Sequence, residues 1–545
     1  MAGVAALTAL RAAVRECQLA APSFSNEQAS EGLAVSDELR ACLLPPACST
    51  QAASLLLQLP AELLSVILTR LGTCHLARLA ATCRSLCRDA PTPPPLPRAI
   101  GAVEIELRRR AETRGLDVGS SLPEGATSWV ACLLKRDRRD AQMRHVPLAL
   151  GQQHSIFIDQ VGRLLTCGID YDDGTPPLLG HAVDPDAHPD ALQRIGPPTL
   201  VPSMDDRRIV SVATSDEHCL ALSAEGEVYS WGHGEGGSLG HGDELEREIP
   251  SRIESLSCIE RIAVGPVATS AAVDENGRLF MWGSATTTYY VADEDGEPEE
   301  FEGSSGLGNE LDAETVFQAT PRQVDALSQE RVVGVALGET FTLAVTDAGA
   351  VFSFGSCQHG GLGHGSLLSV VLPRRIAALA VTGRRFVAVA AGGFHALALT
   401  EGGELYGWGG GESNGHGREE RTPQRVAALI GQRVKLVHAH DCDSCAVTEK
   451  GELFTWGAFG RFGHLGHGVL GSQLEPRRVD GLRGVEVVAV AITGTHTLAA
   501  DVGGVVWAFG LRSVLGLDAS GTDNNAAVLT PTPIPTLRVR VLNSP

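Results

Sequence analysis

Short apolar stretches alternate with glycine-rich and polar stretches from about residue 146 to the C-terminus. Apolar runs of this length between turn residues are typical of buried β-strands. The first strand of each copy is predicted at 146–150, 209–213, 262–264, 332–337, 386–390, 434–437 and 485–491. A second and a third strand follow in each copy, as at 219–222 and 228–231. The pattern predicts an all-β fold.

The seven copies share three positions at fixed spacing. The first, here called the register position, is His154, His218, Thr269, Phe341, His395, Asp443 or His496. A glycine follows eight residues later, in a short turn where positive φ is needed. Thirteen residues after the register position comes the plug position, Cys167, Trp231, Trp282, Phe354, Trp408, Trp456 or Phe509, with a glycine directly behind it. Self-similarity at a period near 50 residues predicts a propeller.

The sequence of the fifth copy resembles a known repeat. Residues 392–399 read GGFHALAL and residues 403–409 read GELYGWG, which is similar to the repeat of the regulator of chromosome condensation family. The resemblance implies a seven-bladed β-propeller of that type over residues 143–545. We expect the plug residues to pack between blades, and the glycines to let loops approach the axis closely.

Two copies contain insertions, at 171–198 and 286–305. The second is acidic, and its stretch 291–302 is interpreted either as a loop on a binding face or as a disordered loop without a partner. Residues 538–542 resemble a further first strand. We expect them to share a blade with 146–150 and to close the ring.

A different pattern precedes the propeller. Residues 59–71 carry apolar residues at helical spacing, Pro60 suits a first helical turn, and prolines between 91 and 97 end the helical region. A unit of about 40 residues has a marginal core, so a partner surface is expected to complete it. A helical cap that packs on the propeller is the alternative.

This segment is similar to the F-box, from the Leu-Pro pair at 59–60 to Cys83-Arg84-Ser85-Leu86. The resemblance implies an α-helical module that docks on the Skp-type adaptor of cullin-based ubiquitin ligases. The candidate adaptor-binding residues are Leu59, Pro60, Leu63, Leu64, Ile67, Leu68, Leu71, Leu76, Leu79 and Cys83. The expected organisation is a disordered tail (1–50), the F-box-like motif (51–97), a helical connector (98–142) and the propeller (143–545).

Composition restricts the class of protein. The 545 residues are 43% hydrophobic and include 62 glycines, as expected for a globular fold with many tight turns. No apolar run approaches the roughly 20 residues of a membrane span, so no membrane contact is expected. The net charge of −21 repels phosphate backbones and disfavours nucleic acid as a partner.

The 13 cysteines are scattered, without a regular framework or a secretory signal. This favours reduced thiols and a cytoplasmic or nuclear location, or both. The alanine-rich N-terminus, with Arg11 and Arg15, leaves open a targeting segment within residues 1–30. A short helix or a disordered tail is the alternative.

Candidate chemistry is sparse. His438, His440, Cys442 and Cys445 have metal-ligand residue types, but Cys445 aligns with core leucines of sister copies, which leaves three candidates on one short segment. The register histidines are repeat positions, the serines and acids form no triad, and no phosphate-binding loop precedes a helix. We therefore expect no metal, no cofactor and no enzymatic activity.

The sequence thus predicts a protein-interaction scaffold. The first hypothesis is an F-box-type substrate receptor of a cullin-RING ligase, with the propeller recruiting a protein target. The propeller resemblance implies an alternative, a guanine-nucleotide exchange factor or regulator of a small GTPase, since a wedge from the propeller reaches the nucleotide site in that family. A propeller interaction protein without a ligase link is the third. Ultraviolet sensing is set aside, because the Gly-Trp-Arg-His-Thr signature of one plant relative is replaced by Gly393-Phe394-His395.

Overall fold

The computed structural model describes residues 146–170, 178–181, 193–284, 286–292, 298–304, 306–309, 317–356, 359–458, 460–515, 517 and 526–541. The tail, the F-box-like motif, the connector and every candidate adaptor-binding residue lie outside these ranges, so the predicted domain boundaries stay predictions. No helix in the described ranges is long and apolar enough to span a membrane.

Within these ranges, seven four-stranded antiparallel sheets follow one another along the chain. Blade 1 contains β1 (Leu148–Leu150), β2 (His154–Ile158), β3 (Leu164–Asp170) and β4 (Gln193–Leu200). Blade 2 contains β5 (Ile209–Thr214), β6 (His218–Ser223), β7 (Val228–Gly232) and β8 (Arg247–Arg252). Blade 3 contains β9 (Ile259–Val264), β10 (Thr269–Asp274), β11 (Leu279–Ser284) and, after an inserted ribbon of β12 (Thr286–Ala292) and β13 (Pro298–Ser304), β14 (Phe317–Gln323).

The remaining blades keep the same order. Blade 4 contains β15 (Val332–Leu337), β16 (Phe341–Thr346), β17 (Val351–Gly355) and β18 (Val370–Arg375). Blade 5 contains β19 (Phe386–Ala391), β20 (His395–Thr400), β21 (Leu405–Gly409) and β22 (Glu420–Arg425). Blade 6 contains β23 (Val434–His440), β24 (Asp443–Thr448), β25 (Leu453–Gly457) and β26 (Gln473–Arg478), and blade 7 contains β27 (Val487–Ile492), β28 (His496–Asp501), β29 (Val505–Leu511) and β30 (Ala527–Arg538). The predicted seven-bladed propeller is confirmed.

Short helical turns link the strands. One is an α-helical turn, α1 (Ala377–Ala380), and the others are 3₁₀ turns at Pro202–Met204, Glu235–Gly237, Asp325–Leu327, Ala427–Leu429, Gly460–Phe462, Asp480–Leu482 and Arg512–Val514. Turns that follow an outer strand bury one apolar side chain, as Leu379 does in α1. These residues close the gap between consecutive blades.

The spacing seen in the sequence is the register of one hairpin. In blade 2, His218 pairs with Gly232 and Cys219 pairs with Trp231 across β6 and β7. The turn between the strands contains Gly226, whose φ of 81° favours glycine. Because β6 and β7 pair residue for residue on the two sides of this turn, the spacing of thirteen residues between His218 and Trp231 is fixed.

The fourth, outer strand of each blade was not predicted. It contains proline and polar residues, as in β8 with Pro250 and in β18 with Pro373, which interrupt the apolar pattern. The outer strand is the edge of its sheet, where proline and charged side chains prevent pairing with another chain.

One further expectation needs correction. The insertion at 286–305 contains an antiparallel ribbon, β12 paired with β13, and is not a loop throughout; its tip, 293–297, is outside the described residues. The glycine of the Leu-Gly pair packs against the plug residue of the next blade. A Cβ on Gly240, for example, would lie 2.8 Å from Nε1 of Trp282 in the next blade.

The apolar core lies between blades. Trp231 of blade 2 packs in one cluster with Ile156, Ile158 and Leu164 of blade 1, and the side chain is fully buried. The prediction that the plug residue fills the space between blades is confirmed. Each sheet buries its second face in this way only because a neighbour is present.

The ring closes through the C-terminal residues. Val539, directly after β30, forms an antiparallel bridge with Asp159 of blade 1, and the Arg540 amide donates to Ile158 O at 3.1 Å. In blade 2 the equivalent bridge joins Ile209 to Ser223, so Val539 supplies the first residue of the inner strand that β1 continues. The predicted closure by 538–542 is confirmed for Val539, whereas Arg538 ends the outer strand β30 of blade 7 and Leu542 lies outside the described residues.

Candidate functional site

Four register positions carry buried histidines that cross the space between blades. His154, His218, His395 and His496 are each at most 2% exposed. Their Nε2 atoms lie 2.8 Å from Thr214 Oγ1, 2.7 Å from Ser270 Oγ, 2.6 Å from Ser444 Oγ and 2.9 Å from Ser155 Oγ, respectively. Each partner belongs to the next blade, and Ser155 joins blade 7 to blade 1. The histidines therefore tie the ring together.

The direction of these hydrogen bonds follows from the hydroxyl partners. Ser270 donates its one hydroxyl hydrogen to Ser238 O at 3.1 Å, so His218 donates its Nε2 hydrogen to Ser270. Burial lowers the pKa of His218 and His395 to about 3, which keeps both neutral at pH 7. A neutral imidazole fixed as a donor is a structural group, as the sequence predicted.

Blade 6 departs from this arrangement. Its register position holds Asp443, and His464 of the same blade places Nε2 3.1 Å from Asp443 Oδ1. The two atoms are close enough for charge attraction, but their angles do not meet hydrogen-bond geometry. Burial raises the pKa of Asp443, and the His464 contact opposes that rise.

The plug tryptophans add a second contact between blades. Trp231 Nε1 donates to Leu178 O at 2.8 Å, and Trp408 Nε1 donates to Gly361 O at 2.7 Å. Each carbonyl belongs to the preceding blade and lies just before the Leu-Gly or Asn-Gly pair. Because a buried carbonyl without a donor is costly, the indole stabilises the fold through this hydrogen bond as well as through its packing.

A hydroxyl replaces the indole where the plug residue is phenylalanine. In blade 4, beside Phe354, Thr342 Oγ1 donates to Gly306 O at 2.9 Å. In blade 7, beside Phe509, Thr497 Oγ1 donates to His464 O at 2.7 Å. Both threonines directly follow a register position. Sequence reasoning missed this replacement of an indole donor by a threonine hydroxyl. Comparing the residue directly after the register position in the seven copies would have indicated it.

Replacing Trp408 with Phe is expected to lower the free energy of unfolding by about 1–3 kcal/mol. The phenyl ring retains most of the packing, but Gly361 O loses the indole hydrogen, and Ala396 beside it has no hydroxyl. Adding Ala396→Thr should recover part of the loss, since it recreates the blade 4 arrangement. Urea denaturation of the single and double variants measures both effects.

Trp282→Phe is the matched control. Ser270 continues to donate to Ser238 O after that substitution, so the loss should be smaller than at Trp408. Equal losses at the two positions, with no recovery from Ala396→Thr, would show that the carbonyl contact is unimportant.

The inner strands line an axial cavity of about 220 Å³. Its wall is mostly apolar, with Arg261, His438 and His440 as ionisable exceptions. Cys445 instead lies in the apolar cluster between blades 6 and 7. Within the described ranges, no three His, Cys, Asp or Glu side chains are arranged to hold a metal ion.

Seven loops surround one end of the axis; each joins an inner strand to the second strand of its blade. We call them the first loops: 151–153, 215–217, 265–268, 338–340, 392–394, 441–442 and 493–495. Neighbouring first loops are bonded: the Gln152 amide donates to Asp216 Oδ1 at 2.6 Å, and the Ala268 amide donates to Glu217 Oε2 at 3.1 Å. They contain four acidic side chains, Asp216, Glu217, Glu339 and Asp441, and no Lys or Arg. Sequence reasoning did not single out this acidic ring, which a comparison of the residues just before each register position would have found.

The comparisons with known families match both parts of the chain. The regulator of chromosome condensation (RCC1) repeat matches residues 225–271, 348–399 and 450–500, and a second description of the same repeat matches 209–237 and 386–418. The F-box domain matches residues 56–88, within the segment predicted from its leucine pattern.

Curated relatives share the repeat over part of their length. The human "E3 ubiquitin-protein ligase HERC2" is 35% identical over 368 residues, which are 66% of this chain and 7% of that protein. The Arabidopsis thaliana "Ultraviolet-B receptor UVR8" is 34% identical over 215 residues, 39% of this chain and 43% of that protein. The chain therefore spans less than half the length of each of these two relatives.

Solved structures share the fold. Prp20p from Saccharomyces cerevisiae aligns with a TM-score of 0.55 at 21% identity, over 73% of this chain and 89% of that one. Human WBSCR16 aligns with a TM-score of 0.51 at 22% identity, over 63% and 83%. Together with the seven observed blades, these matches identify the chain as a seven-bladed β-propeller of RCC1 repeats preceded by an F-box.

Proposed function

We propose that this protein is a substrate receptor of a cullin-RING ubiquitin ligase. The observation that carries the proposal is the F-box at 56–88 ahead of a propeller of RCC1 repeats. An F-box implies docking on a Skp-type adaptor, and a rigid propeller offers a surface for a protein target. The ligase activity itself would come from the other subunits.

We further propose that the chain has no enzymatic activity of its own. The support is that the buried histidines serve as neutral donors to hydroxyl groups of the next blade. Such fixed, desolvated groups are poor acids and bases near pH 7. We also propose a cytoplasmic or nuclear location, or both, supported by the thiols of Cys167 and Cys445, which form no disulfide bond.

The docking prediction is tested by Leu63→Asp combined with Leu64→Asp. Two charges on the face predicted to be apolar and helical should abolish co-purification with a Skp-type adaptor, because burying unpaired carboxylates in an apolar interface is costly. Val381→Asp is the matched control, since Val381 is 85% exposed on the propeller and should leave co-purification unchanged. A wild-type chain that binds no such adaptor would reject the proposal.

One observation favours a second candidate, a regulator of a small GTPase. The ribbon β12–β13 is inserted in blade 3, and a wedge that projects from the propeller is what the family's exchange activity uses. The solved yeast protein Prp20p is described with binding properties to Gsp1p and histones. Nucleotide-release assays on a Ran-type GTPase, with and without residues 286–304, separate this candidate from the ligase receptor.

A further inference from the structure

The side chains of Glu339 and Asp441, from two first loops, both approach Gly393, which has no side chain of its own. A Cβ on Gly393 would lie 3.3 Å from Glu339 Oε2 and 3.5 Å from Asp441 Oδ1. No Lys or Arg in the described ranges forms an ion pair with either carboxylate. Asp216 and Glu217, in contrast, each use an oxygen to bind the neighbouring loop.

The other oxygen of Asp441 faces a second bare position. A Cβ on Gly494 would lie 3.8 Å from Asp441 Oδ2 and 3.9 Å from Asp443 Oδ2. Asp443 is only 1% exposed, and its Oδ1 makes no hydrogen bond of good geometry within the described ranges. The Oδ2 atoms of the half-buried Asp441 and of the buried Asp443 therefore face the same bare position at Gly494, whereas Oδ1 of Asp443 lies beside His464 Nε2.

Exposed apolar residues lie at the same end of the propeller as this acidic gap. The loop between β17 and β18 is bonded to the first loop of blade 4, since the Ser356 amide donates to Thr340 O at 2.7 Å. The corresponding loop of blade 6 is held by the Ala458 amide, which donates to Cys442 O at 3.0 Å. These loops and the adjoining start of β18 expose Leu367, Leu368, Val371, Leu372, Val469 and Leu470. Acidic and apolar surfaces therefore share one end of the propeller.

Blade 5, between the two, pairs four charged side chains at this end. Arg418 Nε lies 2.7 Å from Glu420 Oε1, and Arg421 Nε lies 2.8 Å from Glu419 Oε1. Phe394 adds a half-buried ring directly after Gly393, with its centroid 5.0 Å from that of His359. An aromatic face next to carboxylates suits a Lys or Arg side chain, through cation–π as well as ionic contacts.

We propose that this end of blades 4 to 6 binds a protein segment in which Lys or Arg residues are flanked by large apolar residues. The cation would enter over Gly393 between Glu339 and Asp441, and the apolar residues would cover the exposed leucines. The net charge of −21 attracts such a segment at long range. It repels a second copy of this face and an anionic membrane for the same reason.

The inference rests on the proposed function, because it names the class of target that the propeller recruits. It is tested with full-length protein and three short fluorescent peptides: one alternates Arg with Leu, one replaces Arg by Glu, and one replaces Leu by Ser. Fluorescence anisotropy should show the Arg-Leu peptide binding at least about tenfold more tightly than the other two. Its affinity should fall as salt rises.

Two variants locate the site. Glu339→Gln with Asp441→Asn should weaken the Arg-Leu peptide by at least about tenfold, and Asn accepts the φ of 45° at position 441. Gly393→Ala keeps both charges but fills the gap, and should also weaken binding. Glu225→Gln with Glu486→Gln is the control, because it removes two charges at the opposite end.

Several results would overturn the inference. These are equal affinity for the Arg-Leu and Glu-Leu peptides, or the same loss in the control as in the Glu339/Asp441 variant. A dimer in solution that Leu367→Ser with Leu368→Ser dissociates would assign the surface to a second copy instead. Adaptor co-purification is measured on the same samples, so loss of peptide binding alone rejects only the inference, and loss of adaptor binding alone rejects only the ligase proposal.

Discussion

Lowering the pH from 7 to 5 is expected to reduce the free energy of unfolding by several kcal/mol. Burial lowers the pKa of His218, His395 and His496 to about 3 and that of His154 to about 4, from an ordinary value of 6.5. Below pH 6.5 the unfolded chain binds protons that the folded chain cannot accept, so stability falls as the pH falls. Each such histidine contributes about 1.4 kcal/mol per pH unit in this window.

Some carboxyl groups oppose this effect. Burial raises the pKa of Glu217, Glu339 and Asp443, so the folded chain accepts these protons more readily than the unfolded chain as the pH falls. The expected net loss between pH 7 and 5 is therefore smaller than the histidines alone would give, at about 3–6 kcal/mol. That is a large fraction of a typical folding free energy of about 5–15 kcal/mol.

Urea denaturation at pH 7, 6 and 5 measures the effect. His395→Gln should reduce the slope of the free energy of unfolding against pH by the contribution of about one proton. The reason is that glutamine can donate to Ser444 without titrating. His359→Gln is the control, since that side chain is 46% exposed. Equal stability at pH 5 and 7 would mean that the histidines accept protons in the folded state.

Truncation after Pro535 is expected to destabilise the whole ring. The deletion removes Leu537 and Val539, which are 4% and 1% exposed and pack against blade 1 residues such as Phe157. Each buried side chain contributes about 1.5–3 kcal/mol, so the expected loss is about 3–6 kcal/mol. The deletion also removes the Val539 amide, which donates to Gly504 O at 2.9 Å.

Thermal denaturation should show a Tm lowered by several degrees. Truncation after Val541 is the control, because it leaves both buried side chains and both bridging amides in place. Val539→Asp should reproduce much of the loss in the full-length chain, since it places an unpaired charge in the same cluster. An unchanged Tm after the longer truncation would mean that blade 1 is complete without the C-terminus.

Much of the fold could be read from local sequence. The interval from His218 to Trp231 is the register of one hairpin, so a strand–turn–strand unit was predictable in every copy. Strand ends were less predictable: the first strand of blade 6 was expected to stop at 437 but continues to His440, because His438 and His440 pair with Cys445 and Asp443. Hydrogen-bonded pairing with the neighbouring strand continues a strand through polar residues, and an apolar pattern in the sequence does not reveal this extension.

The candidate functional surface was less predictable. The sequence indicated the F-box leucines, since their helical spacing is local. It did not indicate that Glu339 and Asp441 meet over Gly393, because three blades contribute one residue each. The His464 contact with Asp443 was missed because sister copies have small or apolar residues at the His464 position.

The sequence by itself determined the number of blades, because the copies of the repeat can be counted. It also determined the hairpin and the plug position of each blade, because both depend on residues within one repeat. Only the tertiary structure decided which side chains meet between blades and which carboxylates gather at one end. The Ser155–His496 hydrogen bond, for example, spans 341 residues. Such contacts form only when the ring closes, and closure depends on the stacking of all seven sheets rather than on any local pattern.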